Sequence, residues 1–220
     1  MISASVAAAD QAALGQAVAA LSPHVDVIHI DVEDGVFSPN ITVGPAVIRD
    51  LRPHCPLPFE AHLMVQRPED HIPAVARAGA DVIIVNVEAC PYPLRTLRLI
   101  RSLGKQAGLA FNYGTSLAVL SSLPRELDLV LLMTSEPDLE GQHYIPSSPA
   151  RVREASCLLA GSGARIAVDG GITDAHIAQL WKEGAREFVV GRYLWEGGDA
   201  AARARQLRAA LEALRCNVQN

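Results

Sequence analysis

Short β-branched runs alternate eight times with Ala-, Leu- and Arg-rich stretches along these 220 residues, and that rhythm leaves very few folds open. The strand candidates are Ile2–Val6, Val25–Asp31, Leu57–Met64, Val82–Val87, Ala107–Phe111, Leu127–Met133, Arg165–Asp169 and Glu187–Val190. Helical stretches are expected near residues 10–21, 45–52, 68–79, 91–103, 116–122, 149–160, 173–184 and 199–214, several opened by Asp, Pro or Thr. Eight strand–helix units in this length predict an α/β fold, the (β/α)8 TIM barrel, with an open parallel sheet as the main competitor. No linker or composition break divides the chain, so one domain over residues 1–220 is expected, with the tail Cys216–Asn220 frayed.

Composition narrows the partners. A formal net charge of -5 with scattered arginines offers no electrostatic footprint for nucleic acid, so small anions must be bound locally. Cys55, Cys90, Cys157 and Cys216 are far apart, without a CxxC pair, which points to reduced thiols in a cytoplasm. The first residues lack a basic run and carry Asp10, a poor signal peptide, and no apolar run approaches a membrane span.

The chemistry concentrates at strand ends. Side chains alternate faces along a strand, so in VIHIDVEDG His29 and Asp31 share a side. FEAHLMV repeats the geometry with His62 and Met64, and IAVDGG ends on Asp169. Active sites of this barrel lie at the C-terminal ends of its strands. A lone histidine there is more often a hydrogen-bonded structural residue than a ligand. Three strand ends each presenting ionisable groups are harder to explain as packing, because burying them unpaired is costly. His29, Asp31, His62 and Asp169 together suit a divalent metal, zinc first, with manganese, iron or cobalt compatible with the same donors.

A second feature suits phosphate. Gly170 and Gly171 follow the seventh strand and precede a helix capped by Thr173 or Asp174, while Gly191 and Arg192 follow the eighth. Barrels often bind phosphate with these two loops, through amides at a helix start, and Arg192 adds a permanent charge. Each signal is weak alone, since Gly-Gly is also an ordinary turn. Lys105 and Lys182, the only lysines, fall away from the expected mouth, which argues against Schiff-base chemistry.

The motifs HIDVEDGVFSPNITVGP, EAHLMVQRPEDHI, LAFNYGTS, LMTSEP and VDGGI, in this order, strongly resemble the ribulose-phosphate 3-epimerase family, from about Ile2 to Trp195. The resemblance implies a phosphate-binding barrel, a divalent metal, and inversion at C3 of a ketose phosphate, a pentulose or hexulose phosphate. It places the metal on His29, Asp31, His62 and Asp169, makes Asp31 and Asp169 the acid/base pair, and maps a substrate serine onto Ser5 and site methionines onto Met64 and Met133. It also implies a homo-oligomer, dimer or hexamer. The chemistry fits, because inverting a carbon beside a ketone needs proton removal on one face and return on the other, through an enediolate that a metal stabilises.

The departures from the family pattern cluster around the substrate. Glu33 stands where the family commonly has methionine, Asn86–Val87–Glu88 replaces His-x-Glu, and Asn112–Tyr113–Gly114–Thr115 replaces Asn-Pro-Gly-Thr. The usual glycine-rich loop becomes Asp138–Leu139–Glu140–Gly141–Gln142, keeping Gly141 as a substrate-binding candidate, and Arg192 replaces a small residue. In this the chain resembles a divergent sugar-phosphate epimerase-like subgroup. Either Arg192 replaces lost amides and Glu33 contacts a hydroxyl of a different sugar, or the added acids repel phosphate and a non-catalytic sugar-phosphate-binding or regulatory protein results. A phosphate-barrel lyase or synthase is the other alternative, disfavoured because the Asp-x-Lys-x-x-Asp set of those relatives has no lysine to match it in EAHLMV.

Overall fold

The computed structural model describes residues 1–123, 125–136 and 143–218. Eight parallel strands close into a barrel in chain order: β1 (Ile2–Ser5), β2 (Val27–Glu33), β3 (Phe59–Met64), β4 (Val82–Asn86), β5 (Gln106–Phe111), β6 (Leu129–Met133), β7 (Arg165–Asp169) and β8 (Glu187–Val190). The last strand pairs back onto the first, Val189 opposite Ser3. Around them lie α1 (Leu14–Leu21), α2 (Pro45–Leu51), α3 (Pro68–Ala78), α4 (Pro93–Ser102), α5 (Ser148–Leu158), α6 (Asp174–Glu183), α7 (Arg192–Trp195) and α8 (Ala200–Val218). A proline opens α2, α3 and α4, where its missing N–H costs nothing and its fixed φ favours the first turn.

The expected elements differ from these in instructive ways. The stretch near 116–122 forms only a five-residue 3-10 segment, Ala118–Ser122, cut short just ahead of Pro124. α8 continues to Val218, into the tail expected to fray, and Gln219 and Asn220 lie outside the described residues. The short α7 between β8 and α8 was not expected, and Trp195 Nε1 ties it to β1 by donating to the Ser5 carbonyl at 2.7 Å. β2 starts and ends two residues later than expected, which brings Glu33 onto the strand.

The late starts of β2 and β6 have one cause, which recurs at β4. Asp26, Asp81 and Asp128 each immediately precede β2, β4 or β6, and each accepts an early amide of the preceding strand: Ile2 at 2.7 Å, Phe59 at 2.8 Å and Ala107 at 2.8 Å. An arginine completes each device, Arg208, Arg52 and Arg101 respectively. A side chain thus replaces one rung of the ladder at the closed end of the barrel, satisfying an amide that would otherwise be orphaned.

Two cores result. Outward side chains of the strands, such as Ile28, Ile30, Ile83, Leu109 and Val168, pack under the helices, and full burial of each contributes about 1.5–3 kcal/mol. Inside the barrel, Val82, Ile84, Ala110, Leu129, Leu131, Met133, Ala167 and Val189 make an apolar wall. Gly108 belongs to this interior because a Cβ there would stand 2.8 Å from Ile84 Cγ1 and 3.3 Å from Leu129 Cδ2. Gly108→Ala is therefore expected to lower stability by about 1–3 kcal/mol through overpacking, read as a drop in the urea unfolding midpoint. A wild-type midpoint would show that Ile84 can step aside at no cost.

Candidate metal centre and active site

The alternation of β2 and β3 carries His29, Asp31, Glu33, Glu60, His62 and Met64 onto the interior side, with His29 registered opposite Glu60 and Asp31 opposite His62. β7 brings Asp169 to the same level. One donor atom from each of His29, Asp31, His62 and Asp169 lies within 4.8 Å of the others, and all four residues are buried. His29 Nε2 is 3.3 Å from Asp31 Oδ1 and 4.0 Å from Asp169 Oδ2, and His62 Nδ1 is 3.4 Å from Asp31 Oδ1.

The hydrogen bonds around the cluster fix which atoms face inward. Asn86 Oδ1 lies 2.9 Å from His62 Nε2, and its amide nitrogen donates to Glu88 and Asn112, so His62 carries its proton on Nε2 and presents a lone pair on Nδ1. Asp31 is oriented by Ser5, whose hydroxyl donates to Oδ2 at 2.7 Å. His29 Nε2, Asp31 Oδ1 and His62 Nδ1 are buried without a hydrogen-bond partner among the described residues. Orphaned buried donors and acceptors are costly, and three converging on one point are what a bound cation would satisfy. The donor set of two imidazoles and two carboxylates fits a divalent ion, the nitrogens suiting zinc and its neighbours better than magnesium or calcium.

Electrostatics split the two aspartates. Burial works to raise the Asp31 pKa, but the adjacent imidazoles of His29 and His62 outweigh it and hold the carboxyl far below its ordinary range. Asp169 is pushed up to about 6 by burial and by the charge of Asp31, against the pull of His29 and His62. Burial also opposes a charge on His29, yet Asp31 and Glu60 together raise its pKa well above the usual value.

A cavity of about 630 Å³ opens above the cluster. Ser5, Asp31, Met64 and Asp169 line it, with Gly171, Gly191 and Arg192 beside them. Met133 packs in the interior apolar wall, and Gly141 lies outside the described residues. Gly170 has its own reason to be glycine: its φ is 116°, and a Cβ would stand 2.3 Å from Ser135 Oγ. Thr134 Oγ1 donates to its carbonyl at 2.6 Å, which locks the end of β7 against β6. The Thr173 amide at the cap of α6 is already taken by His176 Nδ1 at 3.1 Å, so not every amide of that turn is free for an anion.

Glu33 also lines the cavity, on the strand face of Asp31, and Ser38 Oγ donates to its Oε1 at 2.6 Å. Burial raises its pKa above the ordinary value despite that hydrogen bond. Asp34, by contrast, builds the loop: its carboxylate accepts from the amides of Val36, Phe37 and Gln66. Arg203 and Tyr193 line the cavity as well, the guanidinium 4.8 Å above the Tyr193 ring. Nothing in the sequence signalled Arg203, since only the placement of α7 and α8 turns it toward the mouth. Alternation puts Glu60 on the face of His62, but sequence reasoning did not single it out, and it named Asn86 only as a departure from the family pattern. Lys105 lines a separate cleft at the other end with Arg52 and Asp81, and Lys182 sits in α6, so neither reaches the cavity.

The sequence profile of the ribulose-phosphate 3 epimerase family matches residues 1–195. A ribulose-phosphate 3-epimerase of Bacillus subtilis (strain 168) is 39% identical over 199 residues, covering 89% of this chain and 92% of the relative. One from Escherichia coli (strain K12) is 38% identical over 203 residues, covering 90% of each. The chloroplastic enzyme of Arabidopsis thaliana is 36% identical over 214 residues, 95% of this chain and 76% of that protein. Among solved structures, KGPDC from Streptococcus mutans superposes with a TM-score of 0.75 at 16% identity, covering 97% of both chains. Orotidine 5'-phosphate decarboxylase from Pyrococcus horikoshii OT3 gives 0.72 at 15% identity, covering 96% and 99%. At such identities these two structures speak for the fold alone.

Proposed function

The chain belongs to the ribulose-phosphate 3-epimerase family, and from that premise we propose that residues 1–220, as one barrel domain, invert C3 of a pentulose or hexulose phosphate with Asp31 and Asp169 as the acid/base pair. The observation that carries this reading is the convergence of His29, Asp31, His62 and Asp169 within 4.8 Å at the floor of the cavity. These four residues would hold a divalent cation, zinc first, with manganese, iron or cobalt as other occupants. Such a cation would supply positive charge to offset the negative charge that develops on the substrate.

The residues divide the work by position. Asp31 on β2 and Asp169 on β7 approach the cavity from well-separated strands, so one takes the C3 proton from one face and the other returns a proton to the opposite face. Ser5 holds Asp31 Oδ2 in place through its hydroxyl. Gly171, Gly191 and Arg192 line the part of the cavity assigned to the phosphate, and Arg192 replaces, in holding it, the glycine amides that the sequence around Gly141 has lost. Met64 and Met133 supply apolar surface, and Gly170 keeps the β7 turn close to Ser135. Glu33, fixed by Ser38, accepts a hydrogen bond from a sugar hydroxyl, which separates this chain's substrate from that of relatives with methionine there.

No lysine stands on β3, which disfavours the lyase and synthase alternative. No helix among the described residues is long and apolar enough to cross a membrane. The free cysteines fit a reducing cytoplasm, and a homo-oligomeric state is part of the proposal, to be read by light scattering.

Proton NMR in heavy water tests the reaction. Zinc- or manganese-loaded protein is offered ribulose, xylulose, allulose and fructose phosphates in turn, and deuterium at C3 together with the epimer is expected from at least one. Metal-loaded protein that exchanges none of them, yet binds one, would move the assignment to a binding protein.

A further inference from the structure

Beneath the metal cluster, toward the closed end of the barrel, lies a second set of buried ionisable groups that the epimerisation does not use. Glu60 and Glu187 are 1% and 0% exposed, and Arg165 reaches them from the barrel's rim. Glu60 Oε2 stands 3.3 Å from His29 Nδ1 and accepts from Ser3 Oγ at 3.2 Å. Arg165 Nε donates to Glu187 Oε2 at 3.3 Å, its Nη2 lies 3.8 Å from Glu60 Oε1, and its Nη1 donates to Gln106. Packing does not explain this arrangement, because apolar side chains of similar volume usually serve a barrel interior better than buried ions.

We propose that Glu60 is the positioning residue of the metal centre: it accepts the Nδ1 proton of His29, which turns the Nε2 lone pair toward Asp31 and Asp169, while Ser3 donates to its carboxylate and Arg165 sets a positive charge 3.8 Å from it on the side of the closed end. The inference rests on reading the His/Asp cluster as a metal centre. A carboxylate behind a ligating imidazole fixes its tautomer and strengthens it as a donor, and loss of such a partner commonly costs 10- to 100-fold in metal affinity. Glu187 differs from Glu60 in that burial and the adjacent Glu60 push its carboxyl up to about 8, so it stays neutral and adds no second charge.

The test is zinc affinity by chelator competition, in the full chain, for wild type, Glu60→Gln, Glu60→Ala and Glu187→Gln, with metal-free unfolding midpoints as the control for folding. Glu60→Gln keeps the volume and the acceptor but not the charge, and about 10-fold weaker binding is expected; Glu60→Ala loses both, and about 100-fold is expected. Glu187→Gln replaces a neutral acid by a neutral amide and should bind zinc within about twofold of wild type. In zinc-loaded protein the His29 Nδ1 proton resonance should move upfield in Glu60→Gln, a change that a purely structural role would not produce. Wild-type affinity and an unmoved resonance in the Glu60 variants would overturn the proposal while leaving the metal centre intact. Absence of zinc binding in the wild type itself would instead remove the metal centre, and this inference with it.

Discussion

Replacing Asp31 or Asp169 by Asn is expected to slow C3 inversion by about 10³-fold, the loss that follows from removing one positioned acid or base. Asn keeps the shape of the site and one coordinating oxygen, so the variants are to be compared at equal metal content. Their residual chemistry should differ. Each variant keeps one carboxylate, on one face of the substrate, so solvent deuterium still enters C3 of one epimer without inversion, and the favoured epimer is opposite in the two variants. Starting from each pure epimer in heavy water, NMR separates exchange from inversion. Full inversion by either variant would refute the two-carboxylate assignment.

Adding zinc or manganese to chelator-treated protein should raise its melting temperature substantially. A ligand at 1,000 times its Kd stabilises the folded state by about 4 kcal/mol, which corresponds to about 8–16 °C in a chain of this size. The reason lies in the three orphaned atoms, His29 Nε2, Asp31 Oδ1 and His62 Nδ1, whose desolvation goes uncompensated until a cation meets them. His29→Ala and His62→Ala are expected to abolish the shift, while Asp34→Ala, outside the cluster, should keep it. A thermal scan with and without chelator measures this, and an unchanged melting temperature in the wild type would mean that the cluster is not a metal site.

Much of the fold was legible because the two periodicities that encode it are local. Strand alternation put His29 beside Asp31 and His62 beside Met64, and the order of the motifs carried the family resemblance. Boundaries were less legible wherever a side chain replaces a backbone partner: Asp26 and Asp128 looked like strand residues but act as acceptors for the preceding strand. The 3-10 segment Ala118–Ser122 misled for a different reason: so short a run of helix-forming residues does not offset the cost of nucleating an α-helix.

The site divides along the same line. Residue type and alternation alone determined that two histidines and two aspartates stand at the ends of three strands, since those are properties of neighbours in the chain. Closure of the sheet decided the rest. It brought Asp169 of β7 within reach of β2 and β3, set Asn86 and Glu60 behind the two imidazoles so that their lone pairs face inward, and turned Arg203 of α8 toward the cavity mouth. These are contacts between residues 24 to more than 100 positions apart, and only strand register and helix placement, which depend on packing of the whole barrel, can bring them together.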